Sequence, residues 1–162
     1  MVSSAKPKGA RVLIVIGSAS DRSVMEQAQP LLDRFGISHR LDVCSAHRQP
    51  ERLRRLIGDA RKGGVEVVIA AAGMAAHLPG VVASLTDLPV IGVPLAAGPL
   101  AGVDALLSMA QMPAGVPVAT VAIGPAGARN AAVLAARILA LADPAIAARL
   151  LEYRRELARG GK

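Results

Sequence analysis

Three short polar segments interrupt a mostly apolar chain, and each carries residue types that could do chemistry. The first is Gly17-Ser18-Ala19-Ser20-Asp21. Its small residues let main-chain N–H groups approach an anion, and the Ser18 and Ser20 hydroxyls can donate to a phosphate. Asp21 would repel a phosphate, so it should cap a helix or bind neutral sugar hydroxyls. Taken alone, the segment is explained more simply by Ser20 or Asp21 acting as an N-cap. The second segment is Ser45-Ala46-His47-Arg48. The Arg48 guanidinium can fork onto a phosphate, and the His47 imidazole can carry a proton near neutral pH. A solvated polar loop explains those residues about equally well. The third segment runs from Ala72 to Gly80. Its glycines and alanines leave space and free amides. His77 lies near an expected helix start, where a carboxylate would also be favoured; capping or packing is its simpler role.

Other reactive groups are weaker candidates. Cys44 is the one cysteine, so neither an internal disulfide nor a cysteine-based zinc cluster can form. Beside a strand end it reads as a small buried hydrophobe rather than a nucleophile. His39 reads as an exposed strand residue. His47 and His77 lack nearby carboxylates or a third ligand for a metal. No glycine-rich dinucleotide fingerprint and no phosphate-loop lysine motif occur. A response-regulator reading needs acids where Gly17 and Ala72 stand.

The elements that must position these residues can be read from apolar runs and their punctuation. Five short apolar segments are expected as strands, over Arg11–Ile16, Ser38–Cys44, Val65–Ala71, Pro89–Val93 and Val116–Ile123. Helices are expected over Asp21–Phe35, Pro50–Lys62, Ala76–Thr86, Val103–Ala110, Gly127–Ala142 and Ala145–Ala158. Pro30 should kink or divide the first of these, and Gly36 should end it. Strands alternating with helices imply a parallel sheet covered on both faces. The expectation is an α/β flavodoxin-like three-layer sandwich with a five-stranded parallel sheet in order 2-1-3-4-5. Ligands bind such sheets at the carboxyl ends of the strands, where all three polar segments lie.

Length and composition bound the partners. A chain of 162 residues suits one domain, here residues 11–158, with a flexible basic tail over 1–10 and a short tail over 159–162. The net charge of +7 raises the question of a nucleic-acid or membrane-surface partner. However, the surplus sits at the ends, in Lys6, Lys8 and Arg11 and again beyond residue 144. Residues 12–143 hold 11 basic against 10 acidic side chains. Phe35 and Tyr153 are the only aromatics, too few for a single-strand stacking platform. The uncharged run Val67–Thr86 could span a bilayer by length, but Gly73, His77, Pro79 and Gly80 punctuate it as buried strand and turn. No apolar stretch precedes Val12, so a cytoplasmic location is expected rather than secretion. The 66 residues 63–128 contain no Lys or Arg, which implies apolar surface covered by another copy of the chain.

At the three polar segments the chain resembles the PurE family of purine biosynthesis, the 5-(carboxyamino)imidazole ribonucleotide mutases. The stretches that carry the resemblance are GSASD (17–21), SAHRQP (45–50), AAHLPG (75–80), GVP (92–94) and GVDALLSMAQMPAGVPVATVAIG (102–124). The stretch GARNAAVLAARILAL (127–141) continues it, so the likeness covers nearly all of residues 11–142. It implies a flavodoxin-like fold, a homo-octamer, and no metal or organic cofactor. It also implies a small ribonucleotide substrate whose carboxylate moves from the exocyclic nitrogen to the adjacent ring carbon. By the same resemblance Ser18, Asp21 and Arg48 bind the nucleotide and Ser45 adds a phosphate contact. His47 transfers the proton, and His77 lies beside the carboxylate or carbon dioxide pocket, which is shaped by Gly73, Met74, Ala75 and Leu78. Met74 departs from the family, which typically has a second glycine there, and Arg22 stands where a bulky apolar residue is more usual. Two other readings compete. One is the related carboxylase acting on free carbon dioxide, against which the AAHLPG loop argues. The other is a non-catalytic nucleotide- or nucleic-acid-binding module, suggested only by the charge.

Overall fold

The computed structural model describes residues 9–160. Most of the tail expected over 1–10, and the end of the one expected over 159–162, lie outside the described residues. The strands are β1 (Val12–Ile16), β2 (His39–Val43), β3 (Val67–Gly73), β4 (Val90–Leu95) and β5 (Ala119–Thr120). The helices are α1 (Arg22–Met25), α2 (Gln29–Arg34), α3 (Pro50–Ala60), α4 (His77–Ser84), α5 (Val103–Ala110), α6 (Pro125–Leu139) and α7 (Pro144–Ala158). The sheet is wholly parallel, in the flavodoxin-like order β2-β1-β3-β4-β5.

Burial explains why the strands are apolar on both faces. All five residues of β1 are fully buried. Because strand side chains alternate, Val12, Ile14 and Ile16 enter one core and Leu13 and Val15 the other. The first core is closed by Met25, Leu32, Ala131, Ala135 and Ile146 from the helices of one layer. The second is closed by Leu53 and Ile57 of α3 and Leu78 and Val82 of α4. In α3 this apolar stripe is backed by exposed Arg52, Arg54 and Arg55, so the basic helix is a solvated face. The uncharged run Val67–Thr86 folds as β3, a turn and α4. Among the described residues no helix is long and apolar enough to cross a membrane.

Two expected elements differ in extent. The helix expected over Asp21–Phe35 is interrupted by a tight 3-10 turn at Glu26–Ala28, before Pro30 rather than at it. The reason is local: a proline ring crowds the carbonyl four residues earlier, here that of Glu26, and has no N–H to offer it. The strand expected over Val116–Ile123 shrinks to Ala119–Thr120. Pro117 cannot donate to a ladder, and Pro94 of β4 cannot supply the next rung. Val121 N–H still donates to the Gly92 carbonyl at 3.0 Å, but the following bond skips to Gly124 N–H on the Pro94 carbonyl at 2.8 Å.

The amino ends of the elements are tied by one ion-pair group. Arg11 donates to Glu66, just before β3, and its Nη1 reaches Asp143 Oδ2 at 2.7 Å. Asp143 is also the N-cap of α7, its Oδ1 accepting from the Ala145 and Ile146 amides. The Arg11 guanidinium holds the Asp143 carboxyl below the usual carboxylate range. Replacing Asp143 with alanine should therefore destabilise the fold by about 1–2 kcal/mol near neutral pH, read by denaturant unfolding. That contribution is complete above the ordinary carboxylate range and fades as pH falls through the depressed value. A gap between Asp143→Ala and the parent that persists undiminished into strong acid would contradict this account.

Candidate active site

The parallel register brings the carboxyl ends of four strands into one row. Ile16 of β1 lies opposite both Val43 of β2 and Ala71 of β3, and Gly73 of β3 lies opposite Leu95 of β4. The segments leaving those ends enclose a cleft of about 270 Å³. It is lined by Gly17, Ser18, Ser20 and Asp21 after β1, and by Ser45, Ala46 and His47 after β2. Ala72, Gly73, Met74, Ala76, His77 and Leu78 follow from β3, with Ala97 after β4. Of the residues singled out in the sequence, Arg48 and Ala75 lie outside this lining. Arg48 is adjacent: its Nη2 donates to the Gly17 carbonyl at 3.1 Å, bridging the first two loops.

The first loop turns on Ser18. Ser18 caps the 3-10 turn Ala19–Asp21, its Oγ accepting from the Ser20 amide and from the Ser20 hydroxyl at 2.9 Å, and Asp21 stands at the N-cap position of α1. Asp21 makes no capping bond. Its carboxyl is pushed up from the usual range by burial, against the pull of its bonds to Ser20 and Ser18. In the second loop the Arg48 amide donates to Ser45 Oγ at 3.3 Å and the Gln49 amide to the Ser45 carbonyl at 2.9 Å. That turn presents His47 outward. Cys44 behind it is fully buried, with its thiol pushed up by that burial, as a packing residue should be. His39 is not the exposed residue expected; its ring is largely covered and its Nδ1 lies 3.1 Å from the Ile37 carbonyl.

The third loop carries backbone strain. Met74 (φ 54°) and Ala76 (φ 46°) are both in the left-handed region, each at a cost of about 1–2 kcal/mol for a residue with a Cβ. The path is held by the Ala76 amide on the Gly73 carbonyl at 3.0 Å. Gly73 itself must be glycine, because a Cβ there would meet the Ala97 Cβ at 2.6 Å. Ala97 is the lining residue that sequence reasoning missed. The available signal was the connection after the fourth strand, whose carboxyl end belongs to the same crevice.

Ala76, left-handed, swings the chain into α4 so that His77 opens the helix. There His77 Nδ1 and His47 Nε2 come within 2.7 Å, their rings at 81°. One facing nitrogen must donate and the other accept, so the contact exists only while at least one of them is unprotonated. The pair can hold one proton and release it to a third group. Both rings are exposed to the cleft rather than packed. The starts of α3 and α4 add positive helix ends at the same edge. Among the described residues no group of three or more His, Cys, Asp or Glu is placed to hold a metal.

A half-buried carboxyl at Asp21, pushed up by desolvation, costs the fold stability once it ionises. The folded state holds its proton to higher pH than the unfolded chain does, so stability falls as pH rises through that window and stays lowered above it. Asp21→Asn should therefore melt higher than the parent near neutral pH, with the difference vanishing in acid below the ordinary carboxylate range. A variant that melts lower at neutral pH would show that the carboxylate is held by a stabilising partner instead.

A family model described as AIR carboxylase matches residues 11–160. The chain is 52% identical over 149 residues to the N5-carboxyaminoimidazole ribonucleotide mutase of Thermotoga maritima, covering 92% of this chain and 86% of that protein. It is 50% identical over 159 residues to the mutase of Pyrococcus horikoshii, covering 98% and 89%. To the mutase of Escherichia coli it is 47% identical over 152 residues, covering 94% and 90%. Among solved structures, Treponema denticola PurE superposes with a TM-score of 0.84 at 31% identity, covering 92% of each chain. The span matched by the family model includes every residue that lines the cleft, and the chain belongs to the AIR carboxylase (PurE) family.

Proposed function

We propose that this chain is a mutase of purine biosynthesis. In this reading it converts 5-(carboxyamino)imidazole ribonucleotide to 5-amino-4-imidazolecarboxylate ribonucleotide. The observation that carries the reading is the imidazole pair, His47 Nε2 to His77 Nδ1 at 2.7 Å, over a small cleft floored by Gly73. Its relatives' names support the same reaction. Ser18, Ser20, Ser45 and Arg48 supply donors for the phosphate, the Arg48 fork being already steered to the cleft edge by the Gly17 carbonyl. Asp21 accepts from ribose hydroxyls, which offsets its burial. Gly73, Met74, Ala75 and Leu78 shape the carboxylate end.

The chemistry follows from one movable proton. The carbamate C–N bond breaks as the exocyclic nitrogen takes a proton from His47, leaving carbon dioxide and an electron-rich aminoimidazole. The ring carbon attacks the trapped carbon dioxide, forming the new C–C bond. The ring carbon then returns its proton to His47, which restores aromaticity, so one acid/base group serves both halves. Confinement in the cleft keeps the two fragments at high effective concentration. His77 positions the His47 ring and borders the carboxylate.

The family model's description as AIR carboxylase favours a second reading, direct carboxylation of the unmodified aminoimidazole ribonucleotide. Rates with the carbamate substrate and with added bicarbonate separate the two. The mutase reading expects turnover of the carbamate without bicarbonate, and a fall of at least about 10²-fold in His47→Asn with unchanged circular dichroism. Near-normal turnover by that variant would refute the assignment.

We also propose that the unit spanning residues 11–158 works in the cytoplasm as a homo-octamer. Exposed Leu100, Val103 and Leu107, clustered on and before α5, supply apolar surface for such contacts. Light scattering at micromolar concentration should give a mass several times that of one chain; a monomer would overturn this.

A further inference from the structure

Met74 is an anomaly on three counts. Its backbone lies in the left-handed region, where glycine would sit without strain. Its side chain does not repay that strain by entering the core, since it is 58% exposed. Yet it lines the cleft, and its Cγ lies 3.5 Å from where a Cβ on Gly98 would stand, so it leans from the third loop toward the connection after β4. Beneath it, Gly73 packs against Ala97 and the Leu95 carbonyl so closely that the two loops are held together. Met74 thus lays an apolar side chain across the seam of two braced loops, in the cleft that His77 and Leu78 also line.

We infer that the Met74 side chain is a retention wall for carbon dioxide, setting how often the released gas is recaptured rather than lost. The inference rests on the mutase reading above. Carbon dioxide is small, uncharged and apolar. A thioether chain across the seam offers it contact while giving water no hydrogen-bond partner of strength. When recapture fails, the balance is simple. The carbamate C–N bond has broken, the nitrogen has its proton from His47, His47 regains a proton from solvent, and the products are aminoimidazole ribonucleotide and carbon dioxide. The retained and leaked routes share the first step and differ only in whether the C–C bond forms. Met74 acts between the two proton transfers of His47, as a specificity-determining residue rather than a catalytic one.

The test follows substrate labelled with carbon-13 at the carbamate carboxyl, in buffer holding unlabelled carbon dioxide and bicarbonate. Two quantities are read per substrate consumed: label retained in the carboxylated product, and unlabelled aminoimidazole ribonucleotide formed. Met74→Ala keeps the Cβ, and with it the backbone restriction, while removing the wall. Its leaked fraction should rise roughly tenfold over the parent. Met74→Leu, apolar and of similar volume, should restore retention to near the parent value. A Met74→Ala partition equal to the parent's overturns the wall. So does a Met74→Leu partition as leaky as that of Met74→Ala, because apolar bulk would then not be the cause. If the parent itself fails to rearrange the carbamate, the mutase reading falls and this inference with it. The parent's own turnover therefore distinguishes the two failures.

Discussion

The register of a wholly parallel sheet is the constraint on which the rest of the molecule depends. Ile16 stands opposite Val43 and Ala71, and two residues farther along Gly73 stands opposite Leu95. With the strands aligned this way, the chain leaves the sheet four times along one edge; three exits carry a polar loop, and the fourth, after β4, carries the small residues around Ala97. Slipping β1 by a single residue would exchange Val12, Ile14 and Ile16 with Leu13 and Val15 between cores of different shape. Glycines pin the same alignment from inside. A Cβ on Gly92 would meet Val118 at 2.6 Å, and one on Gly73 would meet Ala97 at the same distance.

The site that this frame supports works against local preference at several points. Met74 and Ala76 are held with positive φ, the Asp21 carboxyl is partly desolvated, and two imidazoles face a cleft rather than a core. Such features persist only where the surroundings over-determine them. Here the surroundings are β1, β3 and β4, whose apolar residues are nearly all buried. The helix layers also brace the frame away from the cleft, through Arg11 on Glu66 and Asp143 at the opposite edge of the sheet.

The unusual composition finds its explanation in the same division of labour. The two aromatic residues pack on each other, Phe35 against Tyr153 edge to face at 5.5 Å, and Arg34 lies over the Tyr153 ring at 5.0 Å. They fasten α7 to the end of α2 and leave the cleft without aromatic walls. Its polar groups are hydroxyls, imidazoles, a carboxylate and main-chain amides, suited to a phosphorylated sugar and a small carboxylate more than to stacking. Basic side chains between the two ends pair locally, as in Arg34–Glu156 and Arg40–Asp42.

What the sequence determined by itself is whatever rests on neighbours along the chain. Short apolar runs marked β1 to β4, proline and glycine marked helix ends, and the loops with serines and histidines marked the cleft. The resemblance in GSASD, SAHRQP and AAHLPG then attached a family to those loops. The sequence misjudged places where a distant partner decides: β5 shortened because Pro94 on another strand denies it a rung. Only the tertiary structure could bring His47 and His77, 30 residues apart in the chain, to 2.7 Å, or set Ala97 beside Gly73. Those distances follow from strand register and from two left-handed residues in one turn. Neither leaves a periodic trace in the chain, because both arise from packing between segments rather than from preferences within one.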